Sequence, residues 1–202
     1  MLDEFLRPVK ERLFAPLALA MGRRVHPMAV TIGGFACGVS AAVLAARGAF
    51  GAALALWLAN RILDGLDGTL ARTQGRQSDI GGYVDIVLDF IVYAAIPLAL
   101  VAGAASLPTA VVALAMVGSF YVNAASWMYL AAILERKGAG ARARGELTTV
   151  TMPRGLIGGA ETVVFYTLFL MLPRFLLPLF AIMTVLVLVT IVQRLVWAAR
   201  RL

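Results

Sequence analysis

Five of the eleven acidic residues in this 202-residue chain fall inside or at the ends of long apolar runs: Asp64, Asp67, Asp85, Asp89 and Glu161. An ionisable group at membrane depth costs several kcal/mol and is a functional residue by default. Asp64 and Asp67 are three residues apart and Asp85 and Asp89 four, so each pair shares one helix face. At 1.5 Å per residue from the outer ends near Phe50 and Gly103, Asp64 and Asp89 both fall at about 21 Å. Asp67 and Asp85 fall at roughly 26 Å by the same count. Two antiparallel helices therefore present four carboxylates at matched levels. Four like charges that close cannot all ionise unless cations neutralise them. Ion pairing between helices explains one or two such acids, but basic partners at that depth are too few for four. No His or Cys lies near, since the chain has only His26 and Cys37. The ligands are then all oxygen, which suits Mg²⁺ or Mn²⁺ and argues against Zn²⁺. Gly68 and Ala71 follow Asp64 by four and seven, and Gly81 precedes Asp85 by four. Small side chains there let a bulky ligand approach the backbone. Arg72 ends the first face, and a guanidinium beside dications suits a pyrophosphate.

The elements that position these groups follow from composition. The chain is 61% hydrophobic and 14% charged, against about 45–50% and about 25% in soluble domains. That excludes a soluble globular domain, a disordered chain and a basic nucleic-acid-binding domain, despite a net charge of +7. The apolar runs are continuous and rich in Ala and Leu, which indicates helix rather than alternating barrel strands. We read an all-α membrane protein with six transmembrane helices, at 28–46, 50–71, 80–103, 108–134, 155–172 and 175–197. Very short links after the first, third and fifth spans force antiparallel hairpins. Residues 1–25 precede them, with Leu2, Phe5, Leu6, Val9, Leu13, Phe14 and Leu17 at near-helical spacing among charges. This segment reads as an amphipathic helix in the cytoplasmic interface, bent at Pro8 and Pro16. It carries both signs of charge ahead of the first apolar run, unlike a cleaved signal peptide. No linker or repeat divides the chain, so 1–202 is one domain.

Lys and Arg counts set the orientation. The N-terminal segment, the links after the second and fourth spans and the C-terminal end together hold sixteen, including Arg61, Arg72 and Arg194. The opposite side holds only Arg47 and Arg174. Both termini and the carboxylate cluster are therefore expected at the cytoplasmic face of the cell (inner) membrane. Topology and anionic membrane lipid account for the basic excess, with no nucleic-acid partner.

Asp64-Gly65-Leu66-Asp67-Gly68-Thr69-Leu70-Ala71-Arg72, eight residues, Gly81, three residues, Asp85, three residues and Asp89 match every fixed position of D-x-x-D-G-x-x-A-R-x8-G-x3-D-x3-D. This resembles the signature of the CDP-alcohol phosphotransferases, and the length and six-span layout are similar to that family's. Pro27 and Thr31 resemble its P-x-x-x-T at the first span. The resemblance implies displacement of CMP from a CDP-linked donor by an alcohol. It implies that Asp64, Asp67, Asp85 and Asp89 hold Mg²⁺ or Mn²⁺, as two ions, with Asp89 also the general base. It implies that Thr31, Gly68, Ala71, Arg72 and Gly81 line the donor site. Chains this short in the family usually take CDP-diacylglycerol and a small water-soluble alcohol.

Arg142, Arg144 and Arg154, with Glu161, are expected to meet the acceptor, which favours a phosphorylated polyol such as glycerol phosphate or inositol phosphate. Free inositol or serine is the alternative, which Glu161, Ser119 and Asn123 would serve. Ser119, Asn123 and Ser126 form a polar stripe otherwise explained by interhelical hydrogen bonds. Gly34-x3-Gly38 and Gly155-x3-Gly159 permit close packing, within the chain or in a homodimer. His26 reads as solvated and Cys37 as core. A cation-coupled transporter is the competing class. It would place its acids near the midplane, often between repeats, whereas these lie off-centre and no repeat is visible.

Overall fold

The computed structural model describes residues 2–22, 24–104, 106–140 and 155–202. Among the described residues the chain is helical, with no strand. The helices are α1 (Leu2–Met21), α2 (Pro27–Ala46), α3 (Phe50–Gln74), α4 (Asp79–Ala104), α5 (Leu107–Arg136), α6 (Gly159–Met171) and α7 (Leu176–Arg201). A 3-10 turn, Pro173–Phe175, leads into α7.

Local chemistry sets the ends. His26 is not merely solvated: its Nδ1 accepts the Met28 N–H at 3.2 Å, and Pro27 opens α2. Gly75, at φ 63°, ends α3 in the left-handed region. Its N–H donates to the Arg72 carbonyl and that of Arg76 to the Ala71 carbonyl, closing a Schellman turn. Ser78 starts α4, its Oγ accepting the Gly81 N–H at 3.1 Å. Glu161 starts α6, its Oε2 accepting the Gly158 N–H at 3.0 Å.

Among the described residues, four segments are long and apolar enough to cross a membrane: Pro27–Ala46, Asp79–Gly103, Leu107–Arg136 and Pro173–Arg201. The other two expected spans fall short for different reasons. α3 has 25 residues but carries Asn60, Arg61, Asp64, Asp67 and Arg72. α6 has only 13, because 155–158 is not helical. Its length of about 20 Å is less than the roughly 30 Å hydrocarbon core. α1 runs unbroken through Pro16. Phe14 and Ala18 turn inward to Val30, Leu66 and Leu70, while Leu13, Leu17 and Leu19 are exposed.

α2 packs against both α3 and α4, which make almost no direct backbone contact with each other. A Cβ on Gly38 of α2 would lie 2.6 Å from Val92 of α4, and one on Gly34 would lie 3.3 Å from Leu63 of α3. These glycines are therefore used within the chain. α5 pairs with α7, and α6 joins α3 to α7. The main core unites Trp57 of α3, Ile96 of α4, Tyr166 and Phe169 of α6 and Phe180 of α7. Trp57 and Tyr166 stack at 5.3 Å, with Tyr93 of α4 edge-on to both. This aromatic group holds α4 to α6 on one side of the gap that α2 keeps open on the other.

Candidate active site

All four motif aspartates line one narrow cleft, with Thr31 and Gly34 of α2, Asn60 of α3 and Leu88 of α4. The free volume is about 10 Å³, roughly one water-sized body. Asp67 is the most enclosed, at 5% exposure. Its Oδ2 is buried with no hydrogen-bond partner. A buried carboxylate oxygen without a donor costs free energy that a cation recovers. The all-oxygen donor set fits Mg²⁺ or Mn²⁺. No group of three or more carboxylates among the described residues is yet gathered into a metal cage, so a cation would have to draw the ligands in.

One resident of the site escaped the sequence reading. Arg61 was counted there with the flanking cations of a cytoplasmic link, but it lies within α3 and its side chain is 8% exposed. Its Nη2 donates to Asp89 Oδ1 at 2.6 Å and its Nη1 to Asp89 Oδ2 at 3.3 Å. Nη1 also reaches Tyr93 Oη at 2.9 Å, and Nε reaches Asn60 Oδ1 at 2.7 Å. Asp64 Oδ2 lies 3.8 Å away. The guanidinium stands 4.8 Å from the Trp57 ring and 5.1 Å from that of Tyr93. The cluster thus has a basic partner at its own depth. The signal was present in the spacing, since Arg61 precedes Asp64 by three and follows Trp57 by four.

The other expected residues divide. Gly68 and Arg72 adjoin: a Cβ on Gly68 would lie 3.2 Å from Arg72 Nη1. Arg72 Nη2 donates to Thr69 Oγ1 at 3.2 Å. Ala71 follows on the same helix, and Gly81 sits across the link in the first turn of α4. None of these four lines the narrow cleft. Neither does Glu161, whose carboxylate serves the start of α6. Arg142, Arg144 and Arg154 lie outside the described residues. Arg194, also counted as a flanking cation, is 7% exposed. It donates to Asn123 Oδ1 and to Ser126 Oγ, so part of the polar stripe on α5 binds α7.

The family model for CDP-alcohol phosphatidyltransferase matches residues 24–196. The chain belongs to that family. Among curated relatives, the inner membrane protein YnjF of Escherichia coli is 44% identical over 98 residues, 48% of this chain and 47% of that protein. A bifunctional IPC transferase and DIPP synthase of Thermococcus kodakarensis is 36% identical over 83 residues, 41% of this chain and 19% of that protein. The match thus spans about half of the first relative and a fifth of the second. Among solved structures, the Mycobacterium tuberculosis phosphatidylinositol phosphate synthase PgsA1 with CDP-DAG bound superposes with a TM-score of 0.71 at 23% identity, over 91% of this chain and 92% of that one. The same enzyme with manganese and citrate gives 0.69 at 23% identity, over 90% and 87%. At that identity the likeness establishes the shared fold.

Proposed function

We propose that the chain is a multi-pass membrane enzyme that moves the phosphatidyl group of CDP-diacylglycerol onto a small water-soluble alcohol, releasing CMP. The observation that carries this reading is the convergence of all four motif aspartates on one cleft with an unsatisfied Asp67 oxygen at its floor. Asp64, Asp67, Asp85 and Asp89 are the proposed ligands of Mg²⁺ or Mn²⁺, with Asp89 also the proposed general base. When bound, the cation supplies polarisation of the pyrophosphate and neutralises charge on departing CMP. Arg72, with Gly68 and Ala71 leaving room beside it, is the proposed donor contact, and Thr31 and Gly81 flank the approach. The alcohol oxygen forms a bond to the phosphatidyl phosphorus. The bond from that phosphorus to the bridging oxygen breaks, and the electron pair leaves with CMP. Asp89 takes the alcohol's proton, a role worth roughly 10²–10⁴-fold in rate. The PgsA1 structures contain, by their descriptions, CDP-DAG in one case and manganese in another, which supports the choice of donor and cation.

The same reading places both termini and the site on the cytoplasmic side of the cell membrane. Arg61 and Arg194 belong to the interior, so the sixteen cations on that side become fourteen, still against two. The E. coli relative is, by its name, an inner membrane protein. A homodimer is the proposed assembly, with an interface other than Gly34 and Gly38, which pack inside the chain.

For the acceptor we propose a phosphorylated polyol, held by Arg154 with Arg142 or Arg144. The deciding assay is CMP release by purified protein given CDP-diacylglycerol, Mn²⁺ and a panel of alcohols. Glycerol phosphate or inositol phosphate should serve best, and Arg154→Ala should raise the acceptor KM. If serine or free inositol serves better, the phosphate pocket is wrong and Glu161 becomes the residue to test. CMP release with none of them refutes the transferase reading.

A further inference from the structure

On α3 the family signature fixes Asp64, Asp67, Gly68, Ala71 and Arg72 and leaves positions 65, 66, 69 and 70 free. Thr69, at one of the free positions, is nonetheless buried at 1% exposure and hydrogen-bonded on two sides. Its Oγ1 donates to the Gly65 carbonyl at 3.1 Å and accepts from Arg72 Nη2 at 3.2 Å. A hydroxyl has one proton to give. Because the Gly65 carbonyl takes that proton, the oxygen's lone pairs are left to face the guanidinium.

The anchor at Gly65 is firm. A Cβ there would lie 2.6 Å from Phe14 Cε2, so a ring of α1 already rests against the backbone of α3 at this point. Phe14 packs on the small core of Ala18, Val30, Leu66 and Leu70, which joins α1 and α2 to the same stretch of α3. Side chains on a helix lean toward its N-terminus, and that of Arg72 falls back over residue 68. A Cβ on Gly68 would lie 3.2 Å from Arg72 Nη1 and 3.7 Å from Nη2. The missing side chain of Gly68 makes the space, and the Thr69 hydroxyl decides where in it the guanidinium lies. A long arginine side chain without such a hold samples many rotamers and, near a membrane surface, runs out toward water. Ordering it before a ligand arrives removes that cost from binding.

We propose that Thr69 is a positioning residue for the donor: its hydroxyl holds the Arg72 guanidinium over Gly68, next to Asp67, in the place where it meets the pyrophosphate of CDP-diacylglycerol. Thr69 touches neither the donor nor the reacting atoms and acts through Arg72. This rests on the reading of Arg72 as a donor contact, and the experiment separates the two.

Binding of CDP-diacylglycerol is measured by isothermal titration calorimetry on the full-length protein in detergent micelles, with Mg²⁺ and no alcohol. Thr69→Val keeps the β-branched shape without the hydroxyl. It should weaken binding about tenfold, the loss expected for a hydrogen bond to a charged partner. Thr69→Ser keeps the hydroxyl and should bind as the wild type does. In the Arg72→Ala background Thr69→Val should weaken binding no further, since its effect passes through the guanidinium; a purely structural role would not show this coupling. If Thr69→Val fails to fold, Thr69→Ala carries the same comparisons. Wild-type affinity in Thr69→Val, a loss in Thr69→Ser equal to that in Thr69→Val, or an additive loss on top of Arg72→Ala each overturn the proposal while leaving Arg72 as a donor contact. Unchanged affinity in Arg72→Ala overturns the donor role of Arg72 itself.

Discussion

Adding one methyl group at Gly38 should cost this protein far more of its proposed activity than of its stability. Gly38 lies where α2 meets α4, and a Cβ there would sit 2.6 Å from Val92 Cγ2 and 2.8 Å from Val92 Cγ1. Carbon atoms rest comfortably at about 3.5–4.0 Å, so α2 and α4 must part by about 1 Å. Val92 cannot turn aside, because it is β-branched and 1% exposed. Asn60 is no softer, with its Nδ2 only 3.2 Å from the new carbon and its Oδ1 holding Arg61. Overpacking of this kind costs about 1–3 kcal/mol. Replacing a helical glycine by alanine returns about 0.5–1 kcal/mol, so the net loss is roughly 0.5–2 kcal/mol. α4 carries Asp85 and Asp89, and a displacement of about 1 Å at a reacting group costs on the order of 10²-fold in rate. Gly38→Ala should therefore lose about two orders of magnitude in CMP release with only a modest fall in detergent-solubilised melting temperature. Gly33→Ala is the control, since a Cβ there meets nothing within 4 Å. Val92→Ala in the Gly38→Ala background removes both clashing carbons and should restore most of the rate. Wild-type turnover in Gly38→Ala, or a loss that Val92→Ala does not relieve, refutes the idea that α2 sets the width of the site.

Asp67→Asn and Asp85→Asn should each abolish CMP release while eluting as folded protein in size exclusion, and EDTA should abolish it in the wild type; full turnover in any of the three contradicts the metal assignment. Arg72→Ala should raise the KM for CDP-diacylglycerol more than it lowers kcat, and an unchanged donor KM counts against its pyrophosphate role. Gln74→Leu should lower stability by about 1–3 kcal/mol, measured by thermal unfolding. The Gln74 side chain ties α3 to the turn between α1 and α2, donating to the carbonyls of Gly22 at 2.6 Å and Val25 at 2.9 Å.

The reading of the helices succeeded where one element's own periodicity carries the information. The spacings Asp64–Asp67 and Asp85–Asp89 place each pair on one face whatever packs around them, and the short links at Arg47-Gly48 and Pro173-Arg174 return the chain on itself in any fold. All four aspartates do meet in one cleft. The sequence was less informative about ends that depend on neighbours. Residues 155–158 are apolar enough to extend a helix, yet the N–H groups of Leu156 and Ile157 bond to Gln193 and Thr190 of α7.

What only the tertiary structure decided is which groups from different helices meet. A charge count assigns Arg61 and Arg194 to the membrane surface because sequence position says nothing of cross-helix partners. Burial of a guanidinium is tolerable only when its donors are satisfied. For Arg61 those partners come from α4 as well as its own helix, and for Arg194 from α5, 68 and 71 residues away in the chain. The gap itself is likewise a property of packing. The aspartates are fixed on α3 and α4 by sequence, but those helices stand apart because the small residues of α2 seat it against both. Composition and spacing thus determined a membrane protein with four matched carboxylates. The separation of those carboxylates, and the guanidinium set among them, arose only when three helices closed around one another, since side-chain partners are chosen by packing and not by order along the chain.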